Sequence, residues 1–306
     1  MASTNHQTVR TQYVNGDNGL KYAYRRFGSG TNDKVPVIFL IHFRGTMDYW
    51  DPLLVNNIAA TRPVILFDNA GVGQSSGQVA NSIKGMADHV LTFLRALKVS
   101  TVDVLGFSMG GYVAPLVHLN GPSGQVRRLI IAGSGPSYGE GVVYPTTEQG
   151  QEVGRLAGQP NPGYDDGFDK LFFYPSETSQ SAGRAWYKRV QERNESTCGE
   201  ARTQLVSTGY TDGGAGVKAM VEAGTKFRDP GLRADGSFDR LGDIKIPVFI
   251  GQGKDDFMIP TANSFLMQQK LPNARLKIFP DSGHGFLYQF AEEFAADVNS
   301  FLDADL

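Results

Sequence analysis

The run Thr101-Val102-Asp103-Val104-Leu105-Gly106-Phe107-Ser108-Met109-Gly110-Gly111 joins a strand-like stretch to a helix-like one. Apart from Asp103, its first five residues are β-branched or apolar, as is typical of a parallel-sheet strand buried on both faces. After the run, apolar residues recur at helical spacing, at Tyr112, Val113, Leu116 and Val117. The glycines two residues before and after Ser108 remove the side chains that would collide in a sharp turn. This context predicts that Ser108 is a nucleophile rather than a member of an ordinary tight turn.

The helix that follows Ser108 also predicts an anion-stabilising group. The main-chain N–H of Met109 lies at the start of that helix, where unpaired donors and the positive end of the helix dipole favour a developing oxyanion. We therefore expect the N–H of Met109 to form part of an oxyanion hole.

A serine hydroxyl is a weak nucleophile at neutral pH, so this prediction requires a histidine base and an acid to orient it. The chain has five histidines. His6 lies in a polar stretch, and His89 and His118 fall within helical patterns. His284 lies in a glycine-flanked loop between a strand-like run and an amphipathic C-terminal segment. We predict that His284 is the base.

The acid is expected to follow another strand at the same edge of the sheet. The apolar run 246–251 is followed by two adjacent carboxylates, Asp255 and Asp256. Either residue fits this position, and the local pattern leaves the choice between them open.

The order serine, aspartate, histidine, each after a predicted strand, resembles the α/β-hydrolase family. Two further segments agree with this resemblance. His42-Phe43-Arg44-Gly45 follows an apolar strand where family members have His-Gly-x, and residues 68–77 are similar to the family's Asp-x-x-Gly-x-Gly-x-Ser loop. The resemblance covers residues 8–134 and 241–306, and it implies a mostly parallel, doubly wound, eight-stranded sheet in an α/β fold.

The resemblance also implies roles for individual residues. The family's acid lies four residues before a proline, which favours Asp256 over Asp255 because Pro260 follows at that distance. By position, the second oxyanion N–H is that of Arg44, with that of Phe43 as the alternative. Phe43 replaces the family's usual glycine, so the loop is expected to follow a different path.

Residues 135–240 interrupt the alternation of strands and helices. They are richer in charge and in aromatic rings and contain no obvious buried strand. We expect a helical cap or lid over the site, inserted into an α/β-hydrolase core formed by residues 1–134 and 241–306. Trp186 and Tyr187 of the cap, together with Phe43, are the residues expected to face a substrate pocket.

Composition limits the kinds of partner. The 306 residues are 41% hydrophobic and carry a formal net charge of −2 without a basic cluster, which argues against a nucleic-acid surface. No apolar run reaches the ~20 residues of a membrane helix. Residues 1–11 are polar and lack the apolar core of a signal peptide, so a cytoplasmic location is expected. Scattered histidines and the single Cys198 predict neither a metal site nor a cofactor, and we expect a monomer or homodimer.

Three functions are compatible with this pattern. The first is serine hydrolysis of an ester or lactone of a small, apolar or cyclic organic molecule through an acyl-enzyme. The second is hydrolysis of a C–C bond in a diketone-like substrate. The resemblance disfavours it, because family members with that activity typically have Asn before the serine and Trp after the histidine, where this chain has Phe107 and Gly285. The third is a lyase, a cyclase or a receptor on the same fold.

Overall fold

The computed structural model describes residues 4–30 and 34–305. Residues 1–3, 31–33 and 306, all included in the predicted core domain, lie outside the described residues. Within the described ranges, eight strands form one sheet: β1 (Gln12–Asn15), β2 (Lys21–Gly28), β3 (Val37–Leu40), β4 (Pro63–Phe67), β5 (Val102–Phe107), β6 (Val126–Ala132), β7 (Val248–Gly253) and β8 (Ala274–Phe279). Their spatial order is β1-β2-β4-β3-β5-β6-β7-β8. The strand β2 runs antiparallel to β1 and β4, and the other neighbours are parallel.

Helices connect the parallel strands and cover the sheet. The α-helices are α1 (Pro52–Ala59), α2 (Ile83–Ala96), α3 (Met109–Asn120), α4 (Thr147–Ala157), α5 (Asp169–Phe172), α6 (Glu177–Arg189), α7 (Glu195–Cys198), α8 (Ala215–Phe227), α9 (Ala262–Lys270), α10 (Phe286–Gln289) and α11 (Ala291–Asp303). Side chains of successive strand residues enter two separate apolar clusters, as Leu105 and Val104 of β5 do. This alternation places α1 and α11 on one face and α2, α3 and α9 on the other, and it confirms the doubly wound α/β sheet.

The segment between β6 and β7 is helical, as expected for an inserted cap. It contains α4 to α8 and short 3₁₀ and π turns, and none of its residues belongs to a strand. Its Leu156 and Trp186 share one apolar cluster with Phe107 and Tyr288 of the core. The boundaries at residues 135 and 240 stay a prediction. No helix in the described part of the chain combines the length and apolar character needed to cross a membrane.

The strand β1 begins at Gln12, and the residue before it bonds to the cap instead of the sheet: Thr11 N–H donates to Glu200 Oε1 (2.9 Å). The amphipathic C-terminal segment is divided into α10 and α11 at Phe290, whose φ of −108° and ψ of 41° are not helical.

His6 lies in the segment before β1 and is buried. Its main-chain N–H donates to Asn56 Oδ1 (2.9 Å), its carbonyl accepts from Arg193 Nη1 (3.2 Å), and its ring meets the edge of Phe27. Burial, aided by the nearby Arg25 guanidinium, lowers the pKa of His6 to about 3. The imidazole is therefore neutral in the folded protein near pH 7, whereas an unfolded chain protonates it below its ordinary pKa of 6.5.

This difference in pKa predicts that the free energy of unfolding decreases as the pH falls. Because the unfolded chain binds a proton that folded His6 does not, its contribution is complete above about pH 6.5 and is lost as the pH falls towards 3. His6→Phe should reduce the change in unfolding free energy between pH 7 and pH 5 by about 2 kcal/mol. Urea unfolding at both pH values measures this. An identical pH dependence in variant and wild type would show that His6 is accessible to protons in the folded state.

Candidate active site

A strained turn follows β5. Ser108 has φ 57° and ψ −119°, values that non-glycine residues rarely adopt. A Cβ on Gly106 would lie 2.2 Å from the carbonyl oxygen of Gly110, and a Cβ on Gly110 would lie 1.9 Å from that of Leu40. Only glycine fits at both positions, because main-chain atoms that cannot move aside occupy the space. The turn therefore requires the two flanking glycines that its sequence contains.

The structure brings together the three side chains expected to carry the chemistry. Ser108, Asp256 and His284 follow β5, β7 and β8, whose carboxyl ends lie at one edge of the sheet. Nε2 of His284 lies 2.8 Å from Oγ of Ser108, and its Nδ1 lies 2.7 Å from Oδ2 of Asp256. All three side chains are buried, so water competes little for these hydrogen bonds.

Asp256, rather than Asp255, faces the imidazole. Oδ1 of Asp256 accepts the N–H groups of Met258 and Ile259, both at 2.9 Å. Asp255 contributes its main-chain N–H instead, which donates to the carbonyl of Ser282 (2.9 Å) and ties the acid loop to the histidine loop. The geometry thus favours the residue that the family resemblance favours.

Gln252 supports Asp256, and the sequence analysis missed it. It is buried at the end of β7, and its Nε2 donates to Oδ2 of Asp256 (2.8 Å) and to the carbonyl of Ile259 (3.0 Å). The amide therefore fixes the carboxylate oxygen that also accepts from His284. Its position, four residues before Asp256 at a strand end, was the available indication.

Two aromatic rings enclose the imidazole of His284. The Phe107 ring lies 5.0 Å from it between centroids, and the Phe172 ring lies 5.6 Å away. Phe172 belongs to the cap, and its carbonyl accepts the N–H of Gly285 (2.6 Å). The cap therefore fixes the histidine loop directly and screens the base from solvent.

The expected role of the Arg44 N–H in the oxyanion hole needs correction. This N–H donates to Sδ of Met220 (3.2 Å), so it is not available to a substrate. The N–H of Phe43, the alternative donor, has no hydrogen-bond acceptor within the described residues, and Phe43 lines the space around Ser108. The N–H of Met109 is likewise unpaired there, at the start of α3. The geometry therefore points to the N–H groups of Met109 and Phe43.

The side chain of Arg44 has a different task. It is buried, and its guanidinium donates to the carbonyls of Ala157 (2.9 Å), Gln159 (2.6 Å) and Val206 (2.8 Å) in the cap. Burial lowers the pKa of Arg44 below its usual range. The loop that presents Phe43 to Ser108 is thus bound to the cap by its next residue.

Ser108 lies between two cavities of unequal size. The larger is about 640 Å³ and includes Met109, Tyr112 and Met220, with α4 and α8 forming its outer wall. The smaller is about 40 Å³ and includes Phe168, Leu171 and Phe172. Phe43 and Met258 line both. In residues 4–30 and 34–305, no group of three or more His, Cys, Asp or Glu side chains is arranged to hold a metal ion.

Trp186 and Tyr187 do not occupy the expected place in the pocket. The ring of Trp186 is fully buried and stacks on Tyr288 of α10, with centroids 4.8 Å apart. The Tyr187 ring packs against Tyr164 within the cap (5.5 Å). Neither lines either cavity, whereas Phe43 lines both. The apolar side of α6 is used to dock the cap onto the core, which is why these rings are turned away from Ser108.

The arrangement can perform a defined chemistry. A proton on Ser108 Oγ can pass to His284 Nε2, while Asp256 accepts the Nδ1–H and fixes the ring. Two main-chain N–H groups can stabilise negative charge on an oxygen next to the attacked carbon.

Comparison with known proteins agrees with the fold. A family model described as alpha/beta hydrolase fold matches residues 35–291. An alpha/beta hydrolase fold protein from Chitinophaga pinensis is 32% identical, with a TM-score of 0.83 over 98% of this chain and 100% of its own. Est816, described as an N-acyl homoserine lactone degrading enzyme, is 26% identical, with a TM-score of 0.69 over 95% and 100%. A protein of Azorhizobium caulinodans, provisionally named carbamate hydrolase RutD, is 27% identical over 90% of this chain and 91% of its own.

The geometry at Asp256 predicts unequal effects of two amide substitutions. Asp256→Asn should lower hydrolytic turnover by about 10⁴-fold, the loss seen when a triad aspartate becomes an amide. Asp255→Asn is the matched control and should retain most of the activity, because its carboxylate does not touch His284. Steady-state kinetics of the wild type and the two variants measure the turnover rates. The reverse ranking would assign the orienting role to Asp255.

Because Trp186 is buried, we expect its substitution to lower the stability of the protein rather than to change its kinetic constants. Trp186→Ala should destabilise the protein by about 3–5 kcal/mol, since it leaves a large cavity between α6 and α10. Tyr187→Ala, at a half-buried neighbouring position, should cost less. Denaturant unfolding gives the free energies. A selective rise in KM for bulky substrates with unchanged stability would instead place Trp186 in the substrate pocket.

Proposed function

The chain belongs to the α/β-hydrolase fold family, and on that premise we propose that it is a serine hydrolase that cleaves a carboxylic ester or lactone through an acyl-enzyme. The observation that carries the proposal is the continuous pair of contacts from Asp256 to His284 (2.7 Å) and from His284 to Ser108 (2.8 Å). A buried serine in this arrangement has the base and the orienting acid that its activation needs.

In the proposed reaction, Ser108 Oγ attacks the substrate carbonyl carbon and gives its proton to His284 Nε2. The carbonyl oxygen becomes an oxyanion that accepts the N–H groups of Met109 and Phe43. As the C–O bond breaks, the imidazolium returns the proton to the leaving alcohol. His284 then takes a proton from water, whose oxygen attacks the acyl carbon. The bond between this carbon and Ser108 Oγ breaks, the imidazolium returns the proton to Oγ, and the acid is released.

Asp256 keeps one tautomer of His284 throughout. Its Oδ2 accepts the Nδ1–H, so Nε2 stays free to take the serine proton. The three other donors to this carboxylate, from Gln252, Met258 and Ile259, hold it in place.

The similar proteins support a carbonyl substrate with a heteroatom leaving group. The names of two of them refer to a carbamate and to an acyl homoserine lactone, and both compounds contain such a carbonyl. A 26%-identical protein of Dechloromonas aromatica, named as a hydrolase of 2-hydroxy-6-oxononadienedioate, covers 94% of this chain and keeps C–C hydrolysis as the second candidate.

Labelling with a fluorophosphonate tests the proposal. The wild type should form one covalent adduct, on Ser108, and Ser108→Ala should form none while unfolding at the wild-type temperature. Ser137→Ala, which removes a buried hydroxyl outside both cavities, should still be labelled.

A substrate panel then separates the two reactions. Methyl esters and γ-lactones should be hydrolysed, and a vinylogous 1,5-diketone should not. A folded wild type that resists labelling and hydrolyses no ester would overturn the proposal, and cleavage of the diketone alone would select the C–C reaction.

A further inference from the structure

The two cavities at Ser108 differ in capacity by more than a factor of ten, at about 640 and about 40 Å³. A single water needs roughly 10–15 Å³ measured in this way, so the smaller cavity holds only about three atoms of that size. A substrate whose carbonyl lies at Ser108 must therefore place a short group on one side, while the other side accepts a long one.

The wall of the larger cavity contains glycines that its helices do not require. Gly150 and Gly154 lie one turn apart on α4, and Gly224 lies on α8. A Cβ at any of these three positions would meet no atom within 4 Å, and none has a positive φ. Gly158, which also lines the cavity, is different because its Cβ would lie 2.6 Å from the carbonyl of Gly154.

Glycine weakens the interior of a helix relative to alanine, because it loses more backbone freedom on folding. Neither strain nor a close main-chain contact explains Gly150, Gly154 and Gly224. Their shared property is the space that they leave beside the cavity, between α4 and α8.

The position of His284 indicates which side of the substrate is short. The leaving alcohol must lie beside Nε2 to receive its proton. Phe172, whose ring packs against the imidazole, lines the smaller cavity and not the larger one. The alcohol side therefore faces the smaller cavity, and the acyl side faces Met109, Tyr112 and the glycines.

We infer that the substrate is an ester of a small alcohol with a long, largely apolar acyl chain, and that Gly150, Gly154 and Gly224 determine the length of chain accepted. This inference rests on the proposed function and narrows its substrate class. The acyl chain of the substrate lies between α4 and α8, where burial of its methylene groups contributes to binding.

A pair of isomeric esters tests the orientation. Methyl octanoate and heptyl acetate have the same atoms and similar polarity but place the long chain on opposite sides of the carbonyl. The wild type should hydrolyse methyl octanoate with a kcat/KM higher by about tenfold or more, since only this isomer fills both cavities as described. Equal values, or a preference for heptyl acetate, would overturn the inference.

Side chains added at the glycines test the binding site for the acyl chain. Gly154→Leu and Gly224→Leu should each lower kcat/KM for methyl octanoate by about tenfold or more relative to kcat/KM for methyl acetate. Gly242→Leu is the matched control, because its Cβ also meets nothing within 4 Å but lies outside both cavities. Gly154→Ala should raise the unfolding temperature. Equal losses on both esters, or no loss on either, would contradict the role of the glycines.

A binding measurement keeps this test separate from the proposed function. Octanoate should bind Ser108→Ala more tightly than acetate by calorimetry, and adding Gly154→Leu should remove the difference. If the wild type hydrolyses no ester but this pattern holds, the proposed function is overturned and the acyl-chain binding site is supported. If esters are hydrolysed but octanoate and acetate bind alike, only the acyl-chain binding site is overturned.

Discussion

The close main-chain packing around Ser108 is the constraint on which the rest of the site depends. The carbonyl of Leu40 comes so close to Gly110, and the carbonyl of Gly110 so close to Gly106, that no side chain fits at either glycine. These contacts hold Ser108 at a φ of 57° and join β3 to the start of α3. The loop after β3 presents Phe43, and α3 begins with Met109, so the same contacts set the hydroxyl and both proposed oxyanion donors in one geometry.

The cap is part of this geometry and not only a cover. Arg44 follows Phe43 directly, and its guanidinium binds three carbonyls of the cap at 2.6 to 2.9 Å. On the other side of the site, the carbonyl of Phe172 accepts the N–H of Gly285, next to His284. A displacement of the cap would therefore move Phe43, the proposed oxyanion donor, and His284, the proposed base, together. The size of the cavities and the chemistry at Ser108 are coupled for this reason.

The sequence predicted those parts of the structure that residues close together in the chain determine. The strand, turn and helix around Ser108, and the glycine-flanked loop of His284, are visible in short windows of sequence. The contacts of Arg44 are not, because its N–H meets Met220 across 176 positions of the chain. Trp186 could not be placed from the sequence for the same reason. A tryptophan on an amphipathic helix can line a pocket or pack in a core, and only the docking of α6 on α10 determines which of the two it does. Family resemblance supplied the choice of Asp256, which the adjacent carboxylates alone left open.

The proposed mechanism depends on Ser108 carrying the acyl group during turnover. The most direct measurement is peptide mapping by mass spectrometry after rapid acid quench of the wild-type enzyme during hydrolysis of an activated short-chain ester, whose good leaving group favours fast acylation and so accumulation of the acyl-enzyme. The mechanism predicts an acyl group on the peptide that contains Ser108 and none in Ser108→Ala. Continued hydrolysis by the wild type with the acyl group found on another residue would contradict it.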